Sequence, residues 1–259
     1  MTQRSRIAIV TGASRGIGRA IAMELAREGA GLVLAARSAD ALARVAEEAE
    51  KAGASATLAV AADLARPGEP ERVVAAAVER FGGVDILVNN AGATKRGDFL
   101  TLSDADHLDG FALKYHATVR FCRAAWPHLV AAGGTVVNIA GIAAQTPDAE
   151  FTIGGPVNSA LLNFTKALAR RALEEGVRVN ALCPGHIVTD RLHTRIEVHA
   201  KQHGLTLEAA RESLRAHYGI HRFGEVGDIA GMVAFLCSPQ ASYVHGTTIV
   251  VDGGATPGL

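Results

Sequence analysis

The chain has 259 residues, of which 49% are hydrophobic, and its 26 basic and 26 acidic residues give a formal net charge of zero. One α/β domain of roughly this length is common, so we predict a single domain over residues 1–259. The balanced, scattered charge argues against nucleic acid and anionic membranes as partners, which leaves a small-molecule substrate. No apolar run is long enough to span a bilayer and the first residues lack a signal-peptide core, so a cytoplasmic location is expected.

Short β-branched runs alternate with helical periods along the chain, a pattern typical of a parallel sheet with helices on both faces. We therefore predict an α/β fold of the Rossmann type, with a doubly wound, mostly parallel, seven-stranded sheet. The predicted strands are residues 7–10, 32–35, 57–61, 86–88, 135–139, 178–182 and 248–251. The predicted helices are residues 16–28, 40–52, 69–81, 103–131, 157–174 and 226–237, and a polar helical segment around 190–220 is expected to form a substrate lid.

The glycine-rich stretch from Thr11 to Gly18 connects the first strand to the first helix. Its glycines allow a tight turn, and the free N–H groups at the start of the helix attract an anion such as a dinucleotide diphosphate. Arg37 ends the second strand where a site for NAD usually has an acidic residue, and with Arg15 it would bind a 2′-phosphate. The sequence therefore predicts NADP(H) in preference to NAD(H), unless both arginines are ordinary solvated residues.

Other polar and sulfur-containing residues have simpler interpretations. Asp63 follows the third strand and is a candidate either for contact with an adenine amino group or for a turn cap. The histidines of the lid segment lack the spacing of a zinc site, so no metal is expected. The cysteines lie in apolar contexts and are predicted to be buried and reduced: Cys122, Cys183 and Cys237.

Three further motifs follow the glycine turn: Asn89-Asn90-Ala91-Gly92, then Pro184-Gly185 with Thr189, then Val251-Asp252-Gly253-Gly254. Together the four motifs make the chain resemble the short-chain dehydrogenase/reductase family over nearly its full length. The resemblance implies a nicotinamide-dependent oxidoreductase that forms a dimer or tetramer. It implies that the cofactor is lined by Gly12, Ser14, Arg15, Gly16, Ile17, Gly18, Arg37, Asp63, Leu64, Asn90, Ala91, Gly92, Ile139, Asn158, Pro184, Gly185, Ile187 and Thr189. A structural role as turn formers also explains Gly92 and Gly185.

The catalytic positions depart from the family pattern. The family uses an asparagine on the central helix, a serine after the fifth strand, and a tyrosine followed one helical turn later by a lysine. Alignment on residues 163–169 places Asn158 at the lysine position and Gly154 at the tyrosine position, while Gly141 replaces the serine and Lys114 the asparagine. No tyrosine lies between the fifth and sixth strands, so no shift of register restores the motif. Loss of a positioned acid or base typically costs about 10²–10⁴ in rate.

Lysine and asparagine have thus exchanged places between the two helices. We hypothesise that Lys114 supplies the charge that polarises a substrate carbonyl or feeds a proton relay, with Asn158 on the opposite wall. The alternative is that Lys114 extends to solvent or pairs with Asp109. Weaker candidates for substrate contact are Asp148, Glu150 and His186.

Two functions are compatible with these residues. The first is an NADP(H)-dependent oxidoreductase with altered proton delivery, acting on a carbonyl or alcohol of a small or acyl-type substrate. The second is a redox-inactive homologue that binds the cofactor as a regulatory or scaffolding subunit, or that uses the pocket for non-redox chemistry.

Overall fold

The computed structural model describes residues 5–257, which form a seven-stranded sheet in the order 3-2-1-4-5-6-7. Every neighbouring pair of strands is parallel. The predicted fold class is therefore confirmed, and each predicted strand is present with small differences at its ends. The strands are Ile7–Thr11 (β1), Gly31–Ala36 (β2), Ala56–Ala61 (β3), Ile86–Asn89 (β4), Thr135–Ile139 (β5), Arg178–Pro184 (β6) and Thr248–Val251 (β7).

Helices cover both faces of the sheet because the side chains of each strand alternate between two apolar clusters. In β1, Ala8 and Val10 pack against α1, α2 and α9, whereas Ile7 and Ile9 face α3, α5 and α6. The helices are Gly16–Arg27 (α1), Ala39–Ala52 (α2), Glu69–Phe81 (α3), Asp104–Phe111 (α4), Ala117–Ala132 (α5), Gly154–Ala172 (α6), Asp190–His203 (α7), Leu207–His217 (α8) and Val226–Cys237 (α9).

The long helix predicted over residues 103–131 is interrupted by a π turn, Ala112–His116, between α4 and α5. A π turn accommodates one more residue than an α turn, and it changes the direction of the side chains around it. The hydroxyl of Thr118 donates to the backbone oxygen of Lys114 at 2.8 Å, which gives that carbonyl a partner. Lys114 therefore lies in a π turn, which helical periodicity in the sequence does not reveal.

The predicted lid consists of α7 and α8, which pack on each other around the buried side chains of Leu192, Ile196 and Leu214. The three cysteines are buried free thiols, as predicted. No helix of residues 5–257 is both long enough and apolar enough to cross a membrane.

Candidate active site

The glycine turn is fixed against the end of β4 by Asn90. The Asn90 amide donates to the backbone oxygen of Thr11 at 2.9 Å, and the Thr11 hydroxyl accepts from the backbone N–H groups of Asn90 and Ala91 at 2.9 and 3.0 Å. Gly12 has a φ of +67°, in the left-handed region that favours glycine. A Cβ at Gly18 would overlap the backbone oxygen of Gly12, so only glycine fits this approach of helix to turn.

The start of α1 is suited to an anion. Its first turn contains no acidic residue, and the side chain of Arg15 at the N-cap forms no capping hydrogen bond. The N–H groups of this turn therefore lack a side-chain partner. The methyl group of Thr189 lies 3.5 Å from the place of a Cβ on Gly16, so the loop after β6 closes over the same turn. These donors fit the diphosphate of a nicotinamide dinucleotide.

The two arginines predicted to bind a 2′-phosphate differ in their pairing. Arg15 donates to Asp190 at 2.9 Å in an exposed ion pair. Arg37 is exposed immediately after β2. Asp63 lies 3.2 Å from Arg66 and accepts from the backbone N–H of Ala65 at 3.4 Å, so it caps a turn, as its structural interpretation predicted.

Three apolar residues predicted to line the cofactor are buried at the carboxyl ends of strands: Leu64, Ile139 and Ile187. Gly185 follows β6, and a Cβ there would overlap Asp252. The contact of these residues with a cofactor stays a prediction. Among residues 5–257, no group of three or more histidine, cysteine or carboxylate side chains is arranged to hold a metal ion.

Lys114 reaches into the space at the end of β5. Its side chain passes Gly92, where a Cβ would lie 3.0 Å from Lys114 Cδ, and its Nζ donates to the backbone oxygen of Ala140 at 3.0 Å. Burial, together with the positive charge of Arg191, lowers the pKa of Lys114 to about 8. Within the described part of the chain, Lys114 forms no ion pair with Asp109 or any other carboxylate. The alternative in which Lys114 pairs with Asp109 is therefore wrong.

Asn158 lies beside Gly141, which directly follows Ala140 at the end of β5. A Cβ on Gly141 would lie 3.4 Å from Asn158 Nδ2, and this nitrogen donates to the backbone oxygen of Gly154 at 2.8 Å. Asn158 is 5% exposed, and its Oδ1 has no hydrogen-bond partner within residues 5–257. Lys114 and Asn158 thus contact adjacent residues, and Asn158 offers an unused acceptor to a donor such as a ribose hydroxyl.

The space beside Gly154 is filled by another residue. A Cβ at Gly154 would overlap the ring of Phe151, and the guanidinium carbon of Arg96 lies 4.8 Å from the centre of that ring. Phe151 belongs to the loop before α6, and no local sequence pattern predicts that this loop folds back on the helix. The structure therefore leaves no free volume for a larger side chain at this turn of α6.

A cluster of charged and aromatic side chains lies on the loops after β4, β5 and β6, on α7 and at the end of α8. Asp148 Oδ2 accepts from Arg96 at 2.5 Å and lies 3.8 Å from Arg195, and Arg195 lies 5.0 Å from the ring centre of Tyr218. His186 stacks on Tyr218 with ring centres 3.6 Å apart. Burial and the charge of Arg195 lower the pKa of His186 to about 4, so its ring is neutral at pH 7. The sequence analysis identifies Asp148 and His186 as candidates but not their partners, which are Arg96, Arg195 and Tyr218.

The strand order and the glycine turn define a dinucleotide-binding protein of the doubly wound class. Residues 12–256 match a family model described as enoyl-(acyl carrier protein) reductase. The chain is 36% identical to dehydrogenase/reductase SDR family member 4 of Bos taurus, over 97% of this chain and 87% of the relative.

Two solved structures extend the likeness to three dimensions. L-sorbose reductase of Gluconobacter frateurii, in complex with NADPH and L-sorbose, is 35% identical with a TM-score of 0.94, over 98% of both chains. A variant of actinorhodin polyketide ketoreductase with NADPH is 31% identical with a TM-score of 0.93, over 100% of both chains. The chain belongs to the short-chain dehydrogenase/reductase family and is an enzyme of the oxidoreductase type.

Proposed function

We propose that this enzyme uses NADP(H) to reduce a carbonyl, or to oxidise the corresponding alcohol, of a small or acyl-type substrate, and that Lys114 donates the proton instead of the missing family tyrosine and lysine. The observation that carries the proposal is the position of the Lys114 ammonium group. It is held on the backbone oxygen of Ala140 next to Gly141, on the segment that Asn158 contacts from the other helix.

The replacement of the family residues is part of the proposal. Gly141 follows β5, and Gly154 and Asn158 lie one turn apart at the start of α6, which supports the alignment that assigns them to the serine, tyrosine and lysine positions. Phe151 fills the volume beside Gly154, so a phenol from this turn has no place. Lys114 is the cation that donates to a backbone oxygen of the segment after β5, that of Ala140.

Lys114 is suited to both directions of the reaction. When bound, the reduced nicotinamide supplies a hydride to the carbonyl carbon. The Lys114 ammonium group donates a proton to the carbonyl oxygen, and the resulting neutral amine takes a proton from water. In the oxidative direction the neutral amine accepts the proton of the alcohol. A pKa of about 8 keeps both forms populated near neutral pH, as general acid–base catalysis requires.

NADP(H) rather than NAD(H) is proposed because Arg37 stands exposed after β2 without an acidic neighbour on that strand, and because two similar structures contain NADPH. The test is a titration of the protein with NADPH and NADH, followed by nicotinamide fluorescence. Arg37→Asp is expected to weaken NADPH binding about 10- to 100-fold, since it removes charge-assisted hydrogen bonds. Arg44→Asp, an equal charge change on the exposed side of α2, is the control. Equal affinity of the unaltered protein for both cofactors would contradict the preference.

The redox-inactive alternative is favoured by the replacement of the family tyrosine, because Gly154 has no phenol to donate a proton. A panel of ketoses, including L-sorbose, and of 3-oxoacyl thioesters is assayed with NADPH, using the unaltered protein and Lys114→Ala. Turnover that is lost in Lys114→Ala at unchanged NADPH affinity supports the oxidoreductase. Tight NADPH binding without turnover of any compound favours the alternative.

A dimer or tetramer is proposed from the family resemblance, and light scattering measures the mass of the assembly.

A further inference from the structure

The charged and aromatic cluster lies at the same end of the sheet as Lys114, where the strands have their carboxyl ends. Arg96 follows β4, Asp148 follows β5 and His186 follows β6, and the carboxyl ends of parallel strands meet at one edge of the sheet. Arg195 comes from α7 and Tyr218 follows α8, so both halves of the lid contribute. We call these five residues the arginine cluster.

Both guanidinium groups of the arginine cluster rest on aromatic rings. Arg96 lies 4.8 Å from the ring centre of Phe151, and Arg195 lies 5.0 Å from that of Tyr218. A guanidinium group held on a ring has its N–H edge fixed, and that planar edge matches the geometry of a carboxylate. The two side chains are 35% and 34% exposed, so they are reachable from solvent and partly shielded from it.

The two arginines share one close carboxylate. Asp148 Oδ2 lies 2.5 Å from Arg96 and 3.8 Å from Arg195. Glu150 is 3.8 Å from Arg96 with a side chain 72% exposed, so its attraction is weak. The five residues of the arginine cluster, with two guanidinium groups, one carboxylate and a neutral histidine, keep unused N–H donors and a net positive charge, which exposed Glu150 offsets only weakly. Asp148 Oδ2 occupies the position nearest to both groups, so a ligand carboxylate would bind the N–H edges that Asp148 leaves unused.

Tyr218 adds an independent observation. Its hydroxyl is buried and has no hydrogen-bond partner within residues 5–257. Buried hydroxyl groups are normally paired, so this one is ready for an acceptor that a ligand brings. Its ring stacks on the neutral ring of His186, and the guanidinium carbon of Arg195 lies 5.0 Å from its centre.

We propose that the substrate is an oxo acid, or the corresponding hydroxy acid, whose carboxylate binds to Arg96 and Arg195 with the Tyr218 hydroxyl as a third donor. The assignment of the oxo or hydroxyl group rests on the proposed oxidoreductase function. The carboxylate site rests on the arginine cluster alone.

The test measures binding by calorimetry, with and without saturating NADPH or NADP⁺. The probes are straight-chain hydroxy acids and oxo acids of increasing length, each compared with its methyl ester; oxo acids are titrated with NADP⁺ and hydroxy acids with NADPH, so that no turnover occurs. The acid of the best-fitting length is expected to bind about 10- to 100-fold more tightly than its ester, as charge-assisted hydrogen bonds require. Arg96→Gln and Arg195→Gln are expected to lower the affinity for the acid about tenfold or more and to leave the ester unchanged.

Two further variants sharpen the result. Lys201→Gln removes the same charge from an exposed position of α7 and is expected to change nothing. Asp148→Asn removes the competing carboxylate but keeps the Oδ1 acceptor that binds the backbone N–H of Glu150 at 2.9 Å, so tighter binding of the acid is expected. Equal binding of acid and ester, or equal losses in Lys201→Gln and Arg195→Gln, would overturn the proposal. Absence of turnover would refute the proposed function and leave this binding result unaffected.

Discussion

Replacing Lys114 with methionine is expected to stabilise the fold near neutral pH while it removes the proposed proton donor. Folding lowers the pKa of Lys114 from 10.5 to about 8, so the unfolded chain binds more protons between these values. The unfavourable free energy of burying the charged Lys114 therefore applies in full below pH 8, and it disappears as the pH rises towards 10.5. The full shift corresponds to roughly 3 kcal/mol.

Two effects reduce this gain. Lys114 is half-buried, so solvent screens part of the cost, and methionine loses the hydrogen bond to Ala140, which contributes about 1 kcal/mol. We expect Lys114→Met to be more stable than the unaltered protein by about 1 kcal/mol at pH 7. A functional residue that costs stability is common at active sites.

Urea unfolding at pH 7 and pH 10 measures the difference in free energy of unfolding. Lys166→Met is the matched control, because exposed Lys166 also donates to a backbone oxygen, that of Gly246, at 2.7 Å. The control is expected to lose stability and to show no gain at pH 7. A Lys114→Met protein that is less stable at pH 7, or whose advantage does not shrink towards pH 10, would refute the reasoning.

Further predictions concern packing, a histidine and a buried amide. Gly154→Ala is expected to destabilise the fold by about 1–3 kcal/mol because its Cβ meets the ring of Phe151. Gly231→Ala, in open space on α9, is expected to stabilise the fold by up to about 1 kcal/mol. Urea unfolding of both variants measures the two changes in free energy. His186 has a pKa of about 4, below the ordinary 6.5, so stability should fall as the pH falls through this range, and His186→Phe should lessen the fall in thermal midpoint. Asn138→Ala should lower the free energy of unfolding in urea by about 2–4 kcal/mol, because the buried Asn89 amide loses the Asn138 oxygen that accepts from it at 2.9 Å. An unchanged free energy of unfolding would contradict this.

The fold could be predicted from the sequence because local patterns determine it. The strand Thr135–Ile139 is a run of β-branched residues interrupted only by Asn138, and it has the predicted bounds. The glycine turn from Thr11 to Gly18 was found because its spacing reflects backbone contacts within a few residues and with the next strand. Strand pairing then follows from the rules for parallel sheets.

The site was predictable only in part. The π turn around Lys114 depends on one inserted residue, which apolar periodicity does not show. The filling of the space beside Gly154 by Phe151 depends on a loop that returns to its own helix. The pairing of Arg195 with Asp148 joins residues far apart in sequence, and nothing local marks them as partners. Such contacts depend on tertiary packing rather than on pattern.

The most direct test of the account is the pH dependence of NADPH-driven reduction, measured in single turnovers with the substrate that the panel identifies. The protonated form of Lys114 is the proposed acid, so the rate is expected to be constant below pH 8 and to fall above it, with an inflection near the pKa of about 8. Lys114→Met should lose about 10²–10⁴ in rate together with the inflection, at unchanged NADPH affinity. An unchanged rate or an unchanged inflection in Lys114→Met would show that another group delivers the proton.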